Sequence, residues 1–276
     1  MDPVPIPYCG PAPGPADWLG RWNLDPWLIA ALFAAAAAFA LAQRGRGHGP
    51  GGGAAAFHAG IALLAVAFVS PLCALAVALF SARVFQHLLV LLVAAPLLAY
   101  GASSVSRARA SGRAAGGPGP PVHGRAFTLP LAVAFAALFV GWHLPGPYER
   151  TFASDATFWA MHASLLVAAL PFWAAVLRAT RSRRSSPDAL PAIAFVAMAM
   201  GLLGAVLTFA PAALYAPHAA TTAAYGRSAL EDQQLGGLVM WVPGSATLLV
   251  AAIAVAVQLA RRGTESVVPS SSSPST

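Results

Sequence analysis

The chain has 276 residues, of which 58% are hydrophobic and only 9% charged, against roughly a quarter charged in an ordinary soluble domain. That balance excludes a fold whose main solvent is water. The net charge of +7 is carried entirely by arginine in short breaks between apolar runs, so it points to membrane topology rather than to nucleic-acid binding.

Residues Met1 to Pro15 contain no arginine or lysine and no apolar core, which argues against a cleaved signal peptide. Cys9 lacks the apolar stretch of a lipoprotein signal, so the first span itself is expected to direct insertion. A hydrocarbon core of about 30 Å takes roughly 20 helical residues. Apolar runs of about that length predict an all-α bundle of about seven transmembrane helices, at roughly Trp27 to Gln43, Ala54 to Leu75, Val84 to Gly101, Phe127 to His143, Thr157 to Leu177, Leu190 to Ala213 and Gly236 to Ala260. Ser70-Pro71 marks a bend or an end, because proline interrupts the helical hydrogen-bond ladder. The turn before Arg83, between the second and third runs, is the shortest separation. Residues 1–26 read as an extracytoplasmic segment, 27–260 as one membrane domain and 261–276 as a disordered cytoplasmic tail. The loop from Ala102 to Arg125, rich in Gly, Pro, Ser and Arg, reads as mobile. The chain's two cysteines, Cys9 in a Pro/Gly-rich leader and Cys73 at the far end of an apolar run, form neither a disulfide framework nor a CxxC site, and no bridge between them is expected.

Positively charged short loops stay cytoplasmic. Arg44 and Arg46 follow span one, Arg107, Arg109, Arg113 and Arg125 follow span three, Arg178, Arg181, Arg183 and Arg184 follow span five, and Arg261 and Arg262 follow span seven. The opposite ends carry a nearly balanced set that includes Asp17, Arg21, Asp25, Arg83, Glu149, Arg150, Asp155, Arg227, Glu231 and Asp232. The amino terminus is therefore expected outside and the carboxyl terminus in the cytoplasm.

This topology gathers histidines on one side. At about 1.5 Å per residue, His87 lies near the outer start of span three, His143 at the outer end of span four and His162 one or two turns into span five. His218 lies in the outer loop after span six, where a solvated role is the simpler reading. Polar groups inside a span are costly and usually functional, although a histidine can also serve only as a hydrogen-bonded link between helices. His48, His58 and His123 fall on the other side without evident partners. Imidazole with thioether suits copper in its Cu(I) state, and Met240 is the better soft candidate. Met161 points away from His162, and methionine is commonly plain packing. Asp232, Gln233, Gln234 and Trp241 read as supporting residues that orient a histidine or cap the start of the last helix. No nucleophile elbow, Walker loop, HExxH or paired-carboxylate arrangement occurs, and Gly51-Gly52-Gly53 does not follow a strand, so no enzyme is expected. Gly201 to Gly204 and Gly236-Gly237 are expected to allow close helix packing.

Asp25-Pro26, Ser70-Pro71-Leu72, Gln86-His87-Leu88-Leu89 with Ala95-Pro96-Leu97-Leu98, Trp142-His143 with Pro145, Met161-His162, and the block from Asp232 to Trp241 occur in this order. In this the chain resembles the CtaG family of cytochrome c oxidase assembly proteins, the caa3-oxidase type, from about Trp22 to Ala260. The resemblance implies a seven-span protein of the bacterial plasma membrane that helps mature a haem-copper oxidase of the respiratory chain, as a metallochaperone for one of its copper centres. It carries the family's histidine positions onto His87, His143 and His162, with Asp232 and Met240 in the last block. Its partners would be oxidase subunits, membrane lipid and an extracytoplasmic copper donor. One departure stands out: family members often have a further histidine four residues before the position of His87, where this chain has Arg83, so a two-histidine clamp on that helix is not available. Three other readings remain open: a transporter of copper or another solute, a haem-binding membrane protein with paired histidine ligands, and a metal-free scaffold.

Overall fold

The computed structural model describes residues 6–44, 52–114, 128–180 and 188–267, and every regular element among them is helical. In chain order these are α1 (Pro26–Arg44), α2 (Gly52–Phe68), α3 (Pro71–Ala78), α4 (Phe80–Leu88), a π-helical segment (Leu89–Ala94), α5 (Ala95–Ala114), α6 (Thr128–Trp142), α7 (Pro145–Ala153), α8 (Asp155–Ala179), α9 (Ala189–Thr208) and α10 (Ala229–Val267). Among the described residues, five helical stretches are long and apolar enough to cross a membrane. The bent pairs α2–α3 and α6–α7, kinked by 47° and 70°, raise the number to seven if each pair is one span.

The breaks have local and distant causes. At the first bend, Pro71 occupies the first position of α3 and the Ser70 hydroxyl accepts the N–H of Leu72, a helix start in the usual chemistry. The second break, between α3 and α4, contains neither proline nor glycine. Leu79 adopts an extended backbone there, and Asp232 from α10 takes over the orphaned donors of α4. Its buried carboxylate accepts the N–H groups of Phe80 (2.6 Å) and Ser81 (3.3 Å) and the Ser81 hydroxyl. At the opposite end of the bundle, Asp188 accepts the N–H groups of Thr128 (2.9 Å) and Leu129 (3.2 Å) and so ties the starts of α6 and α9 together.

From Phe80 to Ser104, α4, the π segment and α5 form a single span that is the most buried of the five. The widened turn has a legible cause. In the i→i−5 register, shown by the Ala95 N–H bonding to the Val90 carbonyl, the next donor would be residue 96, which is Pro96 and has no N–H. The Leu91 carbonyl left over is taken by the Trp173 indole N–H at 2.7 Å, which fixes α8 against this helix.

Glycines set the closest crossings. A Cβ on Gly237 would lie 2.7 Å from the Gly204 carbonyl and 2.5 Å from the Thr208 hydroxyl, and one on Gly204 would lie 2.9 Å from the Gly237 carbonyl. The expected close approach of α9 and α10 at these glycines is therefore present. Gly53 and Gly60 bring α2 similarly close to Ser104 and Leu98 on α5. By contrast α1 stands at the margin, with only Leu28 and Phe39 buried, and its outer face of Trp27, Phe33 and Leu41 is exposed apolar surface.

Five expectations are revised. Cys9 and Cys73 are joined in a disulfide with their Cα atoms 5.4 Å apart, because the Pro/Gly-rich leader folds back over α3. Gly52 and Gly53 open α2 instead of lying in a loop. Residues 102–114 extend α5 where a mobile loop was expected, and α10 continues to Val267, so 261–267 of the expected tail are helical. The segment Pro145–Ala153, outside the expected spans four and five, is helix α7. His48, His123, Arg46, Arg125, Arg181, Arg183, Arg184 and residues 268–276 lie outside the described residues.

Candidate functional site

The disulfide, the start of α4, helix α7 and the α9–α10 connection all lie at one end of the bundle, and the three expected histidines come together just beneath them. Once Asp232 fixes the start of α4, His87 lies two turns along that helix. Its ring centroid is 5.1 Å from that of His162 on α8 and 5.8 Å from that of His143, which follows the last turn of α6. All three rings are buried.

Their hydrogen bonds fix the tautomers of two of them. His143 Nδ1 lies 2.7 Å from the Phe139 carbonyl, and His162 Nδ1 lies 3.0 Å from the Phe158 carbonyl. A carbonyl oxygen only accepts, so each Nδ1 carries the proton and each Nε2 keeps a lone pair. The same arrangement orients histidines that ligate metals. His162 Nε2 and both nitrogens of His87 are buried without a hydrogen-bond partner. Leaving a buried polar atom unpaired costs about 1–3 kcal/mol, so three such atoms within two neighbouring rings leave room for a polar partner, be it water or a bound ion. No group of three or more His, Cys, Asp or Glu side chains among the described residues stands in metal-ligating arrangement as drawn. No hydrogen bond restrains the His87 ring.

The remaining expected residues sort by their contacts. Met240 is fully buried on the α10 face between Gly236, which packs on Phe80 and Ser81, and Gly244, which packs on Leu88. That position is level with the segment of α4 that carries Arg83 and His87. Asp232 acts on the site through the α4 start. Gln233 accepts the Leu214 N–H at 2.6 Å and donates to the Leu207 carbonyl, holding the α9–α10 connection. Gln234 donates to the Ala210 carbonyl. Trp241 packs against Gly204 and Phe209 on the half-exposed side of α10, away from the imidazoles. Met161 is buried packing. His218 is buried rather than solvated: its Nε2 pairs with the Tyr148 hydroxyl at 2.6 Å, and burial, with the Arg83 charge as a smaller cause, pushes its pKa down to about 3.

Two features were not anticipated. Arg83, expected in an outer loop, is 2% exposed and packs over the rings of Phe152 (4.5 Å), Tyr148 (5.1 Å) and Phe158 (5.7 Å), with one guanidinium nitrogen donating to the Thr151 hydroxyl at 2.6 Å. It has no carboxylate partner; Arg21–Asp17 is the ion pair found among the described residues. Helix α7 supplies most of this aromatic cage, which is why a reading that missed α7 also misplaced Arg83. The second is a crevice of about 440 Å³ between α1, α2 and α8. Its lining joins Tyr8 and Asp25 with apolar residues such as Leu28, Ile61 and Leu166, and with His162. The Tyr8 hydroxyl donates to Asp25 at 2.5 Å, and that bond, with a smaller contribution from the Trp27 N–H, holds the Asp25 carboxyl below the ordinary range.

An all-helical bundle with five to seven apolar helices of membrane-spanning length among the described residues, carrying a buried histidine cluster, is the architecture of a polytopic membrane protein. Residues 20–262 match the family model of the cytochrome c oxidase caa3 assembly factor (Caa3_CtaG), and the chain belongs to that family. A search of curated proteins and a search of solved structures each found no match.

Proposed function

We propose that the protein receives Cu(I) on His87, His143 and His162, with Met240 as a soft fourth ligand, and releases it to a nascent cytochrome c oxidase subunit. The observation that carries this reading is the pair of His87 nitrogens and the His162 Nε2, all buried and unpaired beside His143. Neutral imidazole with thioether is a donor set that favours Cu(I) over hard cations. The work is ligand exchange: no bond of a substrate is made or broken, and the protein is not an enzyme. The seven-span reading, with the amino terminus outside the bacterial plasma membrane and the carboxyl terminus in the cytoplasm, is supported by the arginine distribution. It is supported independently by the Cys9–Cys73 disulfide, which lies at the histidine end, since disulfides persist on the oxidising side of a membrane. On this topology copper is taken from an extracytoplasmic donor.

The test is oxidase copper content in cells that carry H87A/H143A/H162A in place of the wild-type protein. The variant is expected in the membrane at normal abundance while the oxidase lacks copper. Normal oxidase copper would overturn the proposal, and copper uptake into sealed vesicles containing only this protein would favour a transporter.

A further inference from the structure

The cysteine pair sits directly above the site. Tyr8, next to Cys9, stacks on Phe158 at 4.9 Å and meets Trp159 edge-on at 5.1 Å, and it lines the crevice that His162 reaches. Phe68, whose ring is 4.8 Å from His162, offers its carbonyl to the Asn23 amide, and the same amide lies 3.9 Å from Cys73 Sγ. Tyr8 and Phe68 therefore join the surroundings of the cysteine pair to those of His162.

Two observations mark this disulfide as more than a staple. First, its neighbours already hold the leader in place: Tyr8 is bonded to Asp25, and the Tyr225 hydroxyl donates to the Pro13 carbonyl at 3.0 Å. Opening the bridge therefore leaves the two sulfurs close together. Second, the two cysteines are unequal. Cys73 is fully buried in the first turn of α3, with the Asn23 amide 3.9 Å from its sulfur. Cys9 is half-buried and reachable. A thiolate reductant therefore attacks the Cys9 sulfur, and Cys73 is the leaving group.

From this we infer that Cys9 and Cys73, once reduced, form a two-thiolate Cu(I) site beside the crevice that Tyr8 lines, and that the disulfide closes that site. The inference rests on the copper reading above. A dithiol reductant supplies the electrons: its thiolate attacks Cys9 Sγ and expels Cys73 as the thiolate, giving a mixed disulfide. The second thiolate of the reductant then displaces Cys9, leaving the reductant as a disulfide and the protein as a dithiol. Cu(I) binds as the two cysteines give up their protons, and thiolates select this soft ion. With Cα atoms 5.4 Å apart, both sulfurs reach a single ion by side-chain rotation. Transfer to His162 is then a short exchange past Phe68.

The test uses the full chain in detergent under argon, with Cu(I) bound per chain measured by competition with bicinchoninate. Oxidised protein, protein reduced with dithiothreitol and freed of it, and C9S/C73S are compared. The reduced wild type is expected to gain a further Cu(I) over the oxidised form, with sulfur neighbours in its copper X-ray absorption spectrum, whereas C9S/C73S gains none. Reduced wild type alkylated with iodoacetamide repeats that comparison without a mutation and is likewise expected to gain none. Equal copper in the oxidised and reduced forms, a gain that survives alkylation or serine substitution, or a bridge that dithiothreitol leaves closed in the folded protein would each overturn the inference. H87A/H143A/H162A separates the two readings, since it is expected to keep the reduction-dependent copper while losing the rest.

Discussion

Replacing Asp232 by alanine tests how the site is held. The carboxylate is fully buried and accepts the Phe80 N–H at 2.6 Å and the Ser81 hydroxyl, with a longer bond from the Ser81 N–H at 3.3 Å. Two hydrogen bonds to a charged acceptor contribute about 1.5–3 kcal/mol each; ignoring the long one, Asp232→Ala should cost about 3–6 kcal/mol by the same scale. Asp232→Asn keeps one acceptor oxygen and should cost about half as much. Unfolding in mixed micelles by increasing dodecyl sulfate, followed by helical circular dichroism, reads the difference. The α4 start is what positions His87, so the alanine variant should also expose His87 to diethyl pyrocarbonate before global unfolding. Stability of Asp232→Ala within about 1 kcal/mol of wild type, below the cost of a single such bond, would refute the capping role.

Gly237→Ala should weaken the fold by at least about 1–3 kcal/mol, the usual cost of overpacking, because the added Cβ meets the backbone of α9. Gly141→Ala, where no atom lies within 4 Å, should be neutral or stabilise by up to about 1 kcal/mol through helix propensity; the same micelle titration compares the two. His218 makes stability depend on pH with a definite sign. Its folded pKa of about 3 lies below its ordinary 6.5, so the unfolded chain takes up a proton first, and stability present above pH 6.5 is lost as pH falls toward 3. Between pH 7 and pH 5 that loss is about 2 kcal/mol, and His218→Asn should reduce the stability lost over this interval by about that amount. An unchanged slope would contradict the buried neutral imidazole.

The spans were legible because apolar length is a property of contiguous sequence, and the histidine cluster followed once those spans were given ends. The turn before Arg83 was the weak point of that reading, yet α4 begins at Phe80 and keeps His87 beside His162. What holds the turn is Asp232, some 150 residues away in the chain, and no local signal announces it. Arg83 was misplaced because hydropathy treats an arginine as a loop residue. Its burial depends on the α7 cage, and α7 contains Glu149 and Arg150 and is too short to register as a span. The disulfide escaped for a similar reason, since the composition of the leader says nothing of the surface it folds onto. The π segment had a sequence cue in Pro96, but the compensating donor, Trp173, lies on another helix.

The most direct measurement is metal analysis of the purified protein, oxidised and loaded with Cu(I) under argon, beside H87A/H143A/H162A prepared in the same way. Wild type is expected to retain copper through gel filtration and the triple variant to lose it while keeping its helical content. Equal copper in the two, or none in either, would contradict a histidine site for Cu(I).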